Sequence, residues 1–237
     1  MLEIGKKYTR DFSLFADRSD SIAFETYRRD PEAGADLYGW MQPGQRGFCE
    51  DYYSNYPQKG EMLNTFHIIN TEYRYSEPMP EFHWQIQSSD VRNILGYECR
   101  KAVTTFRGRT WTAWYTTQIP VLNGPWKFNG LPGLILNAYD GDRYFEYTAV
   151  GIEKGSATPI FIYGNSEDAT RYNQGEMKII NTTERKVKSL QALFWKDPIY
   201  LSELHGIKSY KRTKTGQTIA QKNGEMMLPY IPPLELE

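Results

Sequence analysis

The chain has 237 residues, 40% of them hydrophobic and 24% charged, enough apolar material for one sizeable core and far from the composition of a disordered chain. Its 28 Lys and Arg against 29 Asp and Glu leave a formal charge of −1, too weak a field to hold nucleic acid or an anionic membrane surface. No apolar run approaches the roughly 18 residues of a membrane-spanning helix, so no membrane span is expected. Aromatic residues reach 15%, with 18 tyrosines, which suits pleated strands better than helices.

In chain order, residues 1–9 read as a strand blurred by Gly5 and Lys6-Lys7, and Asp17 to Arg29 as a helix ended by Pro31. The segment 30–61, with Trp40, Phe48, Tyr52, Tyr53 and Tyr56, lacks periodicity and reads as a long, partly ordered excursion. Met62–Ile68 and Thr71–Tyr75 predict a hairpin around Asn70. Ser76 to Pro80 is expected to break the sheet, because two prolines remove ladder donors. Phe82 to Gln87 alternates with Phe82, Trp84 and Ile86 on one face, and Ser88 to Leu95 reads as a turn or one helical turn.

Tyr97–Phe106 and Thr110–Ile119, joined through Arg107-Gly108-Arg109, form the clearest predicted hairpin. Leu134–Tyr139 and Arg143–Ile152, joined through Asp140-Gly141-Asp142, form the next, and Pro159–Tyr163 a last short strand. Glu176–Ile180 is ambiguous. Thr183–Trp195 predicts a helix with Val187, Leu190, Leu193 and Phe194 on one stripe, stopped or kinked at Pro198. Lys208 to Lys222 is basic and polar, and the closing P-Y-I-P-P-L-E-L-E reads as an extended strap. Consecutive hairpins predict a mainly β (α+β) single domain over 1–237. Its seven to nine strands form a curved antiparallel meander with one or two helices on one face. Such a sheet would leave a concave apolar surface.

Gly130-Leu131-Pro132-Gly133-Leu134-Ile135 reads as a turn feeding a buried strand. Proline suits the first central position of a type II turn, and Gly133 would supply the positive φ at the second.

The residues offer little catalytic chemistry. His67, His83 and His205 show no H-x-x-x-H or C-x-x-C spacing, and a closed zinc site needs about four convergent ligands, so no metal and no cofactor are expected. Asp140-Gly141-Asp142 lacks the remainder of a calcium loop and reads as a hairpin turn. Cys49 and Cys99 either pair as a disulfide or stand as buried thiols. No nucleophile elbow, phosphate loop or dinucleotide fingerprint is present, and no catalytic residue is assigned. What remains is a recognition reading. Trp84, Arg107, Arg109, Trp114, Trp126, Lys127 and Phe128 gather around turns and strand ends, and Trp and Arg together favour recognition sites. Arg107 and Arg109 flank one turn glycine and suit a carboxylate or phosphate. Against this stands a plain core role for Trp84 and one of Trp111 and Trp114.

The motifs also resemble a known family. Tyr73-Arg74-Tyr75-Ser76-Glu77-Pro78 is similar to its Y-R-Y-x-E-P segment, and Trp84-Gln85-Ile86 with Ile94 to Ala102 to its W-x-I…I-x-G-Y-x-C-x-K-A block. Phe106 to Thr116 is similar to F-R-G-R-x-W-x-A-W-[FY]-T, and Gly124 to Gly130 leads into the hexapeptide Gly130–Ile135 as in the family. Pro229-Tyr230 and Leu234-Glu235-Leu236-Glu237 fit as well. On these residues, densest over 72–153, the chain resembles the GLPGLI family of Bacteroidetes proteins (the Porph_ging-type domain of unknown function). The resemblance implies an exported, periplasmic or secreted envelope protein without established activity. Its partners would be envelope proteins, a TonB-dependent receptor among them. It also implies a signal peptide and an extra N-terminal strand, which the polar start Met1-Leu2-Glu3-Ile4-Gly5-Lys6-Lys7 lacks, so truncation is expected. The leading expectation is a non-enzymatic binding protein. A hydrolase using Glu50, Asp51 and His83, or a structural module of an envelope assembly, are the alternatives.

Overall fold

The computed structural model describes residues 1–14, 50–68, 71–155, 160, 162, 178–206, 210–212, 215, 217–220, 222–224 and 234–235. The expected helix Asp17–Arg29, most of the Pro159–Tyr163 segment, Cys49 and the Pro229 to Pro233 stretch lie outside them.

Two mostly antiparallel sheets carry the fold, neither closed into a barrel. The first has six strands in the order β1-β2-β3-β4-β5-β11: β1 Leu2–Ile4, β2 Thr9–Asp11, β3 Glu50–Ser54, β4 Glu61–Ile68, β5 Thr71–Pro78 and β11 Lys178–Asn181. The second is a meander in the order β10-β9-β8-β7-β6: β6 Gln85–Ile94, β7 Tyr97–Phe106, β8 Arg109–Thr116, β9 Leu134–Asp140 and β10 Glu146–Thr148. A small hairpin pairs β12 Tyr210–Arg212 with β13 Thr218–Ala220. The mainly β architecture expected from alternation is therefore present, with more and shorter strands than seven to nine.

Several boundaries differ, each for a physical reason. Residues 1–9 are not one strand: Gly5 turns the chain between β1 and β2, its N–H donating to the Tyr8 carbonyl at 3.1 Å. The 30–61 excursion ends in a regular strand, β3. Its polar Glu50 and Asp51 hid it from an apolar-pattern reading because both are buried by pairing. β5 runs through Ser76 to Pro78 opposite Glu61. Pro78 is tolerated because β11 covers only Thr71 to Arg74 and leaves that end of β5 open. Ser88 to Ile94 continue β6 past an irregularity between Gln87 and Val91, and the reversal is Leu95-Gly96, both at positive φ (52° and 86°). Ile86 pairs with the buried Ala102 and so lies on the core side with Phe82 and Trp84, but it is 47% exposed. The second strand after Asp140 shrinks to Glu146–Thr148.

Among the described strands, β11 is the one departure from antiparallel pairing, lying parallel to β5. It leads into α1 (Glu184–Lys196), whose Thr183 side chain caps the Lys186 N–H. The predicted stripe holds: Val187, Leu190 and Phe194 are buried and pack with Phe66, Ile68 and Leu201 against the first sheet. Pro198 opens α2 (Pro198–Leu204), with Asp197 as its cap.

The second sheet packs an aromatic core of Trp111, Trp126, Phe128, Leu131, Ile135 and Phe145. Tyr52 of the first sheet joins it, and the Asp11 carboxylate accepts the Trp126 N–H at 2.7 Å. The loop between β8 and β9 thus links the two sheets.

Candidate functional site

The loop from Asn123 to Asn129 closes on itself through an Asn123–Asn129 bridge and a Gly124 N–H to Phe128 carbonyl bond of 2.9 Å. Gly124 lies against Ile135, so close that an added Cβ would stand 2.8 Å from the Ile135 Cβ. Trp126 takes φ 55°, a conformation that costs a non-glycine residue about 1–2 kcal/mol. The Asp11 hydrogen bond and full burial of the indole oppose that cost. Burial pushes the Asp11 carboxyl up to about 6, against the lowering effects of the nearby amino terminus and of the Trp126 N–H.

The hexapeptide is built differently from the expected type II turn. The Gly133 N–H donates to the Leu131 carbonyl at 2.8 Å, a three-residue reversal centred on Pro132. Gly133 is required by contact: a Cβ there would lie 2.0 Å from the Thr116 carbonyl oxygen. Leu131, Leu134 and Ile135 are buried. Gly130, at φ 87°, turns the chain beside Trp84, whose Nε1 donates to the Asn129 carbonyl at 2.8 Å.

Of the seven residues singled out for recognition, six meet around this loop. Trp126, Lys127 and Phe128 are each 2% exposed or less. The Trp126–Phe128 rings are 5.0 Å apart edge-on, Trp111–Phe128 4.8 Å, and Trp84 joins through Phe82 at 5.5 Å. These rings pack as core. Trp114 is the exception. It points to the other side of β8, among Cys99, Leu134 and Leu136, with the Arg92 guanidinium 4.5 Å over its ring.

The charged groups assemble beside the rings. Lys127 Nζ lies 2.5 Å from Glu77 and 2.8 Å from Glu235. Arg107, in the turn ending β7 at φ 45°, meets Glu77 at 2.8 Å, Glu184 at 2.8 Å and Glu235 in a shorter contact. Lys188 of α1 reaches Glu184 at 3.1 Å and Glu235 at 3.0 Å. Three cations thus face three carboxylates drawn from β5, α1 and the 234–235 segment. Burial alone would raise the Glu235 carboxyl, but Lys127, Lys188 and Arg107 outweigh it and hold it at about 2. Burial also works against the Arg107 charge, yet Glu235, Glu77 and Glu184 push its guanidinium above the ordinary value.

Arg109 opens β8. It is buried, pairs with Asp140 at 2.7 Å, and its Nε donates to the Leu234 carbonyl at 3.1 Å. The Leu234 side chain packs against the aromatic core. Sequence reasoning passed over Glu77, Glu184, Lys188 and Glu235 as functional groups. Glu77 and Glu235 stood inside quoted motifs, Y-R-Y-S-E-P and L-E-L-E, which was the available signal.

The residues of the hydrolase alternative are not brought together. Glu50 accepts from Gln191 at 2.9 Å, Asp51 from Arg10 at 2.6 Å, and His83 is exposed on the approach to β6. His67 lies beside Glu72 at 3.5 Å and His205 bonds to Tyr73 at 2.9 Å. Among the described residues, no group of three or more His, Cys, Asp or Glu is placed to hold a metal. Cys99 is buried with its thiol 3.5 Å from the Tyr97 carbonyl, while Cys49, the other half of the disulfide alternative, lies outside the described residues. No described helix is long and apolar enough to cross a membrane.

Comparison with known proteins finds two solved structures and one family model, each similar to part of the chain. Two solved structures of PNGF-II, in space groups P21 and C2, resemble the chain at 22% and 21% identity, each with a TM-score of 0.45 over 59% of this chain. The chain spans 24% of those proteins' length. No curated protein matches. Residues 105–137, which carry Arg107, Arg109, Trp111, the Asn123–Asn129 loop and the hexapeptide, match the model of the family described as "Protein of unknown function (Porph_ging)".

Proposed function

We propose that this chain is a non-enzymatic, exported protein of the cell envelope, periplasmic or secreted, that binds a protein partner or ligand and serves outer-membrane, TonB-dependent transport. The observation that carries the binding part is the convergence of Arg107, Lys127 and Lys188 on one carboxylate beside a wall of packed rings. A cation cluster that is largely withdrawn from water spends desolvation energy, and that cost is met when an anion of matching geometry occupies it. Placement in the envelope rests on the family resemblance.

The experiment is capture from envelope membranes and from the soluble periplasm with full-length protein, in parallel with an Arg107→Ala variant. A partner retained by the unaltered chain and lost with the variant supports the reading. Equal capture by both, or turnover of an ester, peptide or phosphate substrate, sinks it. A second reading, a structural module of a larger assembly, draws on β6, a ten-residue edge of the second sheet among the described residues. Its irregularity between Gln87 and Val91 blunts that edge, which is why the binding reading leads.

A further inference from the structure

Away from the Arg107 cluster, one face of the first sheet keeps a groove. The parallel register of β11 with β5 sets Lys178 beside Thr71 and Ile180 beside Tyr73, and alternation puts these four side chains on one side of the sheet. α1 lies over that side, but its stripe of Val187, Leu190 and Phe194 packs with Phe66 and Ile68 of β4. Toward β11 a groove of about 410 Å³ is left, walled by Lys186 and Leu190 of α1 and by Leu204 and His205 at the end of α2. That volume suits a small molecule.

The lining divides by chemistry. Leu190, Ile180 and the Tyr73 ring are its apolar part, and Leu204 adds an apolar side chain that is 58% exposed. The Tyr73 ring is held in place. His205 Nε2 lies 2.9 Å from its hydroxyl, with the two rings edge-on, and His205 Nδ1 lies 2.8 Å from the Leu201 carbonyl. A carbonyl only accepts, so Nδ1 carries the hydrogen, and in the neutral ring Nε2 accepts from the Tyr73 hydroxyl. The polar tips of Tyr73 and His205 thus serve each other, and the charge in the groove comes from Lys178 and Lys186, both exposed. No acidic side chain lines the groove, and neither ammonium meets a carboxylate among the described residues. Two residues further along α1, Lys188 does meet carboxylates, Glu184 and Glu235.

We propose that this groove binds a small amphiphilic anion, with a carboxylate or phosphate head at Lys178 and Lys186 and a short alkyl or single-ring body along Ile180, Leu190, Leu204 and Tyr73. The site is separate from the Arg107 cluster and does not depend on the reading given above. Charge complementarity selects the head. The whole chain balances 28 basic against 29 acidic side chains, yet this groove gathers two lysines and no acid. Exposed ammonium groups alone hold an anion weakly in water. The body supplies the rest, since each methylene taken out of water tightens binding roughly fourfold. A bare inorganic anion would leave the apolar lining wet, and a neutral alcohol would leave both ammonium groups without a counter-charge. An anion with an apolar body answers both halves.

The test titrates the full chain calorimetrically with octanoate and with octyl phosphate, which separate a carboxylate source from a phosphate source. Binding should be equimolar, and hexanoate should bind about 5–15-fold more weakly than octanoate for its two missing methylenes. Acetate and octanol, each carrying half of the ligand, should fall at least about 10-fold below the tighter eight-carbon anion. The double variant Lys178→Gln/Lys186→Gln removes both charges from exposed positions and should weaken that anion at least about 10-fold. Lys6→Gln/Lys7→Gln makes the same change of charge at exposed positions elsewhere and should leave the affinity as it was. Leu204→Gln alters the exposed apolar wall alone and should cost about 3–10-fold, which keeps the proposal testable if the double lysine variant fails to fold. Acetate bound as tightly as octanoate would mean an adventitious ion only, and octanol bound as tightly would mean an apolar contact with no head site; either overturns the proposal. So does an absence of binding by both eight-carbon anions, binding indifferent to the lysine pair and to Leu204, or an equal loss with the Lys6 and Lys7 variant.

Discussion

Two buried carboxylates, both in contact with α1, behave in opposite ways. Glu235 meets three cations and its carboxyl is held at about 2. Glu50, on β3, meets the Gln191 amide, and burial pushes it up to about 7, with its backbone N–H and Gln191 opposing and Asp51 adding. Both are less than a tenth exposed. Burial always disfavours the charged form, so the number of facing cations decides which carboxylate stays ionised. That contrast separates a place prepared for negative charge from a place where a carboxyl is tolerated.

The largest expected effect comes from breaking the prepared place. Lys127→Met leaves Glu77 and Glu235 short of a buried counter-charge, and should cost about 3–5 kcal/mol. Thermal unfolding would read this as a loss of roughly 6–20 °C; an unchanged midpoint would mean the seam is wetter than its geometry implies. Glu50→Gln works in the other direction. A carboxyl raised in the folded state contributes stability that is present below about 4.5 and lost as pH rises through about 7. The neutral amide escapes that loss, so the variant should be more stable by on the order of 1–3 kcal/mol at pH 8 and no different at pH 4. Urea melts at the two pH values check this.

Glu235→Gln gives the mirror image. A carboxyl lowered in the folded state contributes stability present above about 4.5 and lost as pH falls toward about 2. The gap between unaltered and variant chains should therefore be full at neutral pH and close in acid. A gap that instead widens in acid would reverse the assignment of Lys127 and Arg107 as its cause. The smallest effect is the control: Arg143→Ala removes an exposed pair with Glu146, 3.0 Å apart and roughly half exposed on both sides. It should change stability by no more than about 0.5 kcal/mol.

How much of this was legible depends on the distance over which each feature is decided. The hairpins around Arg107-Gly108 and Asp140-Gly141, the helix stripe of Val187, Leu190 and Phe194, and the burial of Leu134 to Leu136 follow from alternation and turn chemistry within a few residues. β3 escaped because Glu50 and Asp51 are buried by partners far along the chain, Gln191 and Arg10, which no local pattern reveals. β11 escaped for a similar reason, since four residues become a strand only beside β5. Trp114 was grouped with Trp126 by proximity in sequence, yet alternation along β8 sends it to the opposite side from Trp111.

By itself, the amino-acid sequence determined the mainly β character, the main reversals and the aromatic richness around the hexapeptide, because pleat period, turn residues and side-chain size act locally. Only the tertiary structure decided that Gly133 answers to the Thr116 carbonyl, and that Lys127 is buried against Glu77 and Glu235. The rings were likewise assigned to core by packing between distant segments. The Gly133 and Lys127 contacts join residues 17 to 108 positions apart, and their energies depend on shared exclusion of water, which no single stretch of chain can provide.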